Sequence, residues 1–248
     1  MNLAIKFILA LIFAPVLGFG ANIPKLLPLK VDVNDKSALQ RGARIYMNYC
    51  SGCHSLRYLR YSRMAKDLGL ITFSGEVDKP LLQNNLIFTS AKVHDPIEVS
   101  MPKVSAREWF GRIPPDLSLT AREKGPAWIY TYLKSFYEDK NRPYGTNNIL
   151  VPDVAMPNVL APLSGKLINL HKSINYNDNS ANLLLIERGT MTQHQFDSTV
   201  IDLVTFLTYV AEPSQLIRYQ VGVYVIIFLL VFLLPAYLLK RHYWKNIS

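Results

Sequence analysis

Cysteine is nearly absent from this chain: Cys50 and Cys53 are its only two thiols in 248 residues. That scarcity excludes a disulfide framework or a four-thiolate zinc site built within the chain, since both need more sulfur. A βαβ pattern is missing too, and with it the setting of a thioredoxin-like dithiol. There is no internal repeat and no low-complexity tract. Nor is basic charge concentrated. The formal charge is +9, with 27 Lys and Arg against 18 Asp and Glu, and setting aside Lys6, Lys240, Arg241 and Lys245 at the two ends leaves the middle only +5. Nucleic-acid binding is therefore not expected.

What the chain does have is Cys50-Ser51-Gly52-Cys53-His54. C-x-x-C-H is the spacing that attaches a c-type haem covalently. Thiols at i and i+3 reach the two vinyl groups of one porphyrin, and the next histidine is placed to bind the iron. A redox dithiol, or half of a metal site, would use the same pair but would not call for the histidine.

The ends predict where such a group works. Lys6, the apolar run Phe7 to Leu17 and the small residues Gly18, Gly20 and Ala21 make residues 1–20 a secretory signal peptide cleaved near Gly20 or Ala21. Pro15 and the shortness of the run argue against an uncleaved anchor. Val221 to Leu239 carries no charge and is followed by Lys240, Arg241, Tyr243, Trp244 and Lys245. That predicts a transmembrane anchor over 219–240 and, by the positive-inside rule, a cytoplasmic tail over 241–248. Residues 21–218 then form one exported domain on the periplasmic side of a bacterial inner membrane, single-pass.

Periodicity predicts a mainly α fold. A helix over Ser37–Tyr49, capped by Ser37, leads into the motif, and Gly42 within it costs about 1 kcal/mol against alanine, a cost explained by close approach of a second helix. That second helix is predicted over 191–211, with a capping-box spacing at Thr190 and Gln193, an apolar stripe from Phe196 to Val210 and a stop at Pro213. Shorter helices are expected at Leu56–Leu68 and Ala127–Tyr137. The proline-rich remainder reads as long loops.

A haem needs a sixth ligand or an open position, and the choice separates carrier from catalyst. Met47 is too close to the attachment site, Met64 lies on the helix after it, and Met191 is expected in the core. Met101 and Met156 remain, each followed by proline. Met156 is preferred because Val154-Ala155-Met156-Pro157-Asn158-Val159-Leu160 is an apolar loop able to close over a haem face. His94 and His171 stay open as bis-histidine alternatives.

Taken in order, C-S-G-C-H, Ile113-Pro114-Pro115-Asp116-Leu117-Ser118, the Met156 loop, Thr190-Met191-Thr192-Gln193, Ala211-Glu212-Pro213 and a C-terminal anchor resemble the cytochrome c1 family. That family is the haem subunit of the quinol–cytochrome c oxidoreductase, or bc1, complex. The resemblance runs from about Ser37 to the end. It implies a cytochrome-c-like haem domain with long loop insertions plus one C-terminal transmembrane helix. It implies one haem c attached at Cys50 and Cys53, with His54 as proximal and Met156 as distal ligand. By the same resemblance Arg122 meets a propionate, Pro114 and Pro115 pack on the haem, and Trp128 lines its pocket.

The resemblance further implies electron transfer from a Rieske iron–sulfur protein to a cytochrome c acceptor, beside cytochrome b, in a dimeric complex. This chain then needs no active site of its own, although the assembly is an enzyme. A free-standing membrane-anchored cytochrome c delivering electrons to a terminal oxidase is the rival, and a haem enzyme or gas sensor with a displaceable Met156 is another. Arg57, Arg60, Arg63 and Lys66 recur every three residues after the motif. If exposed, that stripe favours an acidic or neutral acceptor; otherwise its members pair with propionates or a neighbouring subunit.

Overall fold

The computed structural model describes residues 26–170 and 183–245. The expected signal peptide and His171 lie outside the described residues. In chain order the helices are α1 (Lys36–Tyr49), α2 (Tyr61–Leu68), α3 (Lys79–Asn85), α4 (Lys103–Phe110), α5 (Thr120–Lys124), α6 (Pro126–Lys134), α7 (Ala161–Ser164), α8 (Gln193–Ala211) and α9 (Gln215–Trp244). Between them lie strands β1 (Leu56–Arg60), β2 (Pro96–Ile97), β3 (Phe136–Glu138), β4 (Thr146–Asn148), β5 (Gly165–Asn169) and β6 (Leu183–Arg188). They pair antiparallel as β1–β2, β3–β4 and β5–β6. The fold is mainly helical, as its periodicity predicts, and the strands brace the loops.

Helix α1 forms because Leu39, Ala43, Tyr46 and Met47 make a buried stripe at helical spacing. Its cap is Asp35 and not Ser37: the Asp35 carboxylate accepts from the amides of Ser37 and Ala38 at 2.9 and 3.0 Å. A carboxylate one residue before the first turn reaches two free amides, whereas Ser37 already lies inside that turn.

The core is made where α1 crosses α8. A Cβ added to Gly42 would overlap the main-chain carbonyl of Asp202 and lie 2.7 Å from the Phe206 Cβ. The crossing is closed by Tyr46 against Phe206 at 5.8 Å between ring centroids, and by the Arg41–Asp202 ion pair at 2.6 Å. Tyr209, farther along α8, donates to the Asp67 carboxylate of α2 at 2.7 Å and so draws that helix onto the same core.

Three expectations shift. The helix expected over Leu56–Leu68 is divided into strand β1 and helix α2. The amides of Arg57 and Tyr58 are taken by the Asp116 carboxylate and the Ser118 hydroxyl at 3.0 and 3.2 Å, so they are not free for helical carbonyls. The helix expected over Ala127–Tyr137 stops at Lys134, and Phe136–Glu138 pairs instead with Thr146–Asn148. The capping box of α8 is Thr192 with Gln195, joined at 3.3 and 2.9 Å, and not Thr190 with Gln193. The same Thr-x-x-Gln spacing occurs twice, two residues apart, and Thr190 is already bonded to the Pro162 carbonyl at 3.1 Å.

Helix α9 carries the expected anchor within it. Ile217–Trp244 is 28 residues long and wholly unburied in the chain itself. At about 1.5 Å per residue it outspans a hydrocarbon layer of about 30 Å. Pro235 sits near its far end.

Because Gly42 meets main chain, Gly42→Ala should destabilise the domain by roughly 1–3 kcal/mol despite the better helix propensity of alanine. Urea unfolding of the haem-loaded protein checks this. An unchanged or raised midpoint would mean the two helices do not touch there.

Candidate functional site

The C-x-x-C-H turn continues from the end of α1, first through a widened i→i−5 bond and then through a tight i→i−3 one. The amides of Cys50 and Ser51 both donate to the Tyr46 carbonyl, at 2.8 and 3.0 Å, and those of Cys53 and His54 both donate to the Cys50 carbonyl, at 3.0 and 2.9 Å. The Ser51 hydroxyl donates to the Met47 carbonyl at 2.7 Å. Tyr46, fully buried, donates its hydroxyl to the His54 carbonyl at 2.6 Å. The motif is therefore tied to the core by the same tyrosine that packs on Phe206.

Both cysteines are free, Cys50 buried and Cys53 partly so. Burial, with the neighbouring Cys53 as a second cause, pushes the Cys50 thiol up to about 12, and burial raises Cys53 as well. A redox dithiol needs the opposite, a thiolate stabilised near neutral pH. The pair is not set up as one.

His54 is oriented from behind. Its Nδ1 lies 2.7 Å from the Pro115 carbonyl oxygen. A carbonyl only accepts, so Nδ1 carries the proton and donates, leaving the Nε2 lone pair for a metal. Burial lowers the histidine's pKa, opposed by the Pro115 bond and the Asp116 charge, and the ring is thus favoured neutral. The Pro115 segment runs beside the motif through further bonds. The Leu117 amide donates to the Ser55 carbonyl at 2.9 Å, and Asp116 accepts from the amides of Arg57 and Ser118 at 3.0 and 2.9 Å. Pro114 is half-buried in this segment.

The Met156 loop is organised by two buried asparagines. The Asn148 side-chain oxygen accepts from the amides of Leu150 and Val151 at 2.9 and 3.1 Å, and its Nδ2 donates to the Tyr132 carbonyl at 2.8 Å. The Asn147 oxygen accepts from Asp153 at 2.9 Å, where the backbone turns through φ +62°. Asp153 is held there by Arg142 at 2.8 Å. Beyond the turn, half-buried Met156 receives the Tyr132 hydroxyl on its sulfur at 3.4 Å. Tyr132 stacks on Trp128 at 5.2 Å and 6°.

The structure thus joins Cys50, Cys53, His54 and Pro115 in one bonded unit, and Trp128 with Met156 in another through Tyr132. Leu117, Trp128 and Val159 pack on the same core as Cys50. Met47 and Met64 are buried in that core, and Met191 packs against it with its sulfur accepting from Thr199 at 3.6 Å. Met101 is half-buried ahead of α4, and His94 is exposed. Arg122 is exposed on α5, its guanidinium without a protein partner among the described residues. Of the basic stripe, Arg57 pairs with Glu98 at 3.8 Å, Arg60 donates to the His94 carbonyl at 2.7 Å, and Arg63 pairs with Asp67 at 2.5 Å.

Tyr46, Asp116, Ser118, Tyr132, Asn147 and Asn148 escaped sequence reasoning as working residues. The Asn-Asn pair after Gly145 and the Asp-x-Ser after two prolines were the available signals. Among the described residues no three His, Cys, Asp or Glu side chains gather to hold a bare metal ion. Two free thiols and one oriented imidazole suit a metal that arrives already held in a macrocycle, so the donor set fits a c-type haem.

The "Cytochrome C1 family" profile matches residues 30–247. The chain is 45% identical over 220 residues to a protein named cytochrome c1 from Allochromatium vinosum, covering 88% of this chain and 87% of that one. It is 38% identical over 245 residues, 98% of both chains, to a protein named ammonia monooxygenase gamma subunit from Nitrosomonas europaea. A solved structure titled hyperthermophilic respiratory Complex III aligns over 99% of both chains at 17% identity and a TM-score of 0.44. The profile spans the motif, the Met156 loop and the anchor alike, and with it the chain belongs to the cytochrome c1 family.

Proposed function

We propose that this chain is the electron-transfer subunit of a bc1-type quinol–cytochrome c oxidoreductase. It would take electrons from a Rieske iron–sulfur protein and deliver them to a cytochrome c acceptor beside cytochrome b, in a dimeric complex. One haem c, held by Cys50 and Cys53 through thioether bonds, would supply reversible one-electron chemistry. In this proposal His54 and Met156 would hold its iron, Arg122 would meet a propionate, and Pro114, Pro115 and Trp128 would pack on it. The observation that carries the proposal is the Nδ1 bond of His54 to Pro115, which leaves Nε2 as the free donor next to two free thiols.

The chain's own work is to hold and orient. Tyr46 and Pro115 fix the histidine from its main-chain and ring sides. In this proposal the asparagine-built loop would supply the Met156 thioether as the second protein ligand. No general base or nucleophile is required, so the enzyme is the assembly and this chain has no separate active site. Residues 21–218 face the periplasm of a bacterial cell after removal of a signal over 1–20. The anchor is 219–240, and 241–248 is the cytoplasmic tail.

A second arrangement is favoured by the full-length similarity to the protein named ammonia monooxygenase gamma subunit: the same haem domain serving a monooxygenase. Membranes lacking this chain separate the two. Loss of quinol-driven cytochrome c reduction supports the bc1 assignment. Intact reduction with lost ammonia oxidation supports the other.

Met156→Leu should leave the haem attached yet open its sixth position. The reduced protein should then bind carbon monoxide, which wild type resists, and turnover should fall by roughly tenfold or more. A variant that keeps its low-spin, unreactive spectrum would move the ligand to Met101 or a histidine.

Asp116→Ala removes the acceptor of two main-chain amides beside the motif. A loss of roughly 1.5–3 kcal/mol is expected from a charged acceptor of this kind, read as a lower unfolding midpoint of the haem-loaded protein. Unchanged stability would mean that Asp116 does not brace the His54 segment.

A further inference from the structure

We infer that residues 71–77 form a membrane-seating finger, which places Phe73 in the headgroup layer of the bilayer beside the root of α9. The inference rests on the reading of α9 as a membrane anchor and is independent of the haem ligands. Among the described residues Phe73 is the most exposed large apolar side chain, at 114%, and Ile71 near it is 43% exposed. A single apolar residue in water needs no explanation by itself. What sets Phe73 apart is that the chain around it is built to hold it out.

Ile71 and Val77 face each other in an antiparallel bridge. The Thr72 amide donates to the Glu76 carbonyl at 2.8 Å, and the Gly75 amide donates to the Thr72 carbonyl at 2.9 Å, with Gly75 at φ +81°. The Thr72 and Ser74 hydroxyls share a further bond at 2.8 Å. At the base, Leu70 and Val77 pack on the core, and the Asp78 amide donates to the Leu70 carbonyl at 3.1 Å. These ties keep the ring of Phe73 from turning inward.

Three contacts put the finger at the end of the domain where α9 begins. Residues 31–34 line one cleft with Gln215, Tyr219 and Gln220 of α9, and the next residue, Asp35, caps α1. Early in α1, Gln40 donates to the Leu68 carbonyl at 2.7 Å, and the Lys36 Cδ lies 4.0 Å from where a Cβ of Gly69 would stand. Tyr209, just before α8 gives way to α9, bonds to Asp67 at 2.7 Å. The C-x-x-C-H motif lies at the other end of α1, about 21 Å along its 14 residues.

Phe73 is therefore remote from the proposed redox site and close to the membrane surface, where aromatic and apolar side chains are favoured at headgroup level. Lys36 and Lys79 flank the base of the finger, exposed and without an ion pair among the described residues, and suit anionic headgroups. Exposed Glu76, on the returning arm, keeps the insertion shallow. With α9 in the bilayer, the finger is a second foothold. It stops the domain from tilting freely about residues 212–214, between α8 and α9.

In the haem-loaded, full-length protein an introduced cysteine is the one reactive thiol, since Cys50 and Cys53 are taken up by the proposed thioethers. Phe73→Cys and, in mid-anchor, Leu230→Cys are spin-labelled in vesicles of phosphatidylethanolamine and phosphatidylglycerol. Each label's collisions with oxygen, which concentrates in lipid, are compared with those of a water-soluble nickel chelate. Both labels should favour oxygen, position 230 more strongly. A label at 73 that favours the chelate while that at 230 favours oxygen overturns the finger alone. Preference for the chelate at both positions overturns the anchor reading beneath it. In the assembled complex, a label at 73 screened from both reagents would lie against a neighbouring subunit, and the lipid assignment fails. Phe73→Asp should keep the optical spectrum and unfolding midpoint of wild type, because the ring packs on nothing in the domain. It should lose haem linear dichroism in oriented bilayers as the domain tilts more widely; undiminished dichroism overturns the foothold.

Discussion

The crossing of α1 and α8 at Gly42 is the constraint from which the rest of the site hangs. With no side chain at Gly42, the helices close to main-chain contact, and Tyr46 one turn later is driven against Phe206. Tyr46 then reaches its hydroxyl to the carbonyl of His54. One buried tyrosine converts helix packing into the placement of the motif's histidine. Moving either helix would move the histidine's main chain, while Pro115 would still hold the ring. The site is thus defined by two supports that must agree, one through the core and one through the loop.

The loops, not the helices, carry the remaining geometry, and short polar side chains build them. Asp116, Ser118, Asn147 and Asn148 each accept from main-chain amides that no regular element satisfies. Main-chain amides must find acceptors, and a side chain supplies one without a ladder, whether it stands two residues away, as Asn148 does from Leu150, or far off in sequence, as Asp116 does from Arg57. This is how a proline-rich stretch becomes a fixed loop with little secondary structure. The turn at Asp153, with φ at +62°, is tolerable for the same reason: Asn147 and Arg142 hold it from both sides.

These two modes of construction explain what could be read in advance. The motif, the helix before it, the long helix after the loops and the anchor were legible, because thiol spacing, apolar periodicity and hydropathy are local signals. Gly42 was legible as a close approach, since a glycine inside a good helix needs a cause. Strand β1 was not: the apolar spacing of Leu56, Leu59 and Leu68 suits a helix, and only acceptors some sixty residues away, at Asp116 and Ser118, divert its amides. Both caps shifted by two residues because a second capping residue stands two positions away in each case, and local chemistry alone does not rank Asp35 against Ser37 or Thr192 against Thr190. Tyr132 was invisible for a related reason. It sits in an aromatic run where packing is the default, and its hydroxyl acquires meaning only when the Met156 loop folds back onto it.

Charge shows the same dependence on long-range context. The stripe of Arg57, Arg60, Arg63 and Lys66 is exposed, and its three arginines are engaged, with Glu98, with the His94 carbonyl and with Asp67. Exposed pairs of this sort contribute little stability, about 0–1 kcal/mol each. Their effect on the surface is larger, because two pairs neutralise the local field that would steer a partner. Arg122, by contrast, is exposed with no protein partner among the described residues, on α5 beside the segment that orients His54. The net charge of the chain is therefore a poor guide to what it attracts, and which cations the fold leaves unpaired is a better one.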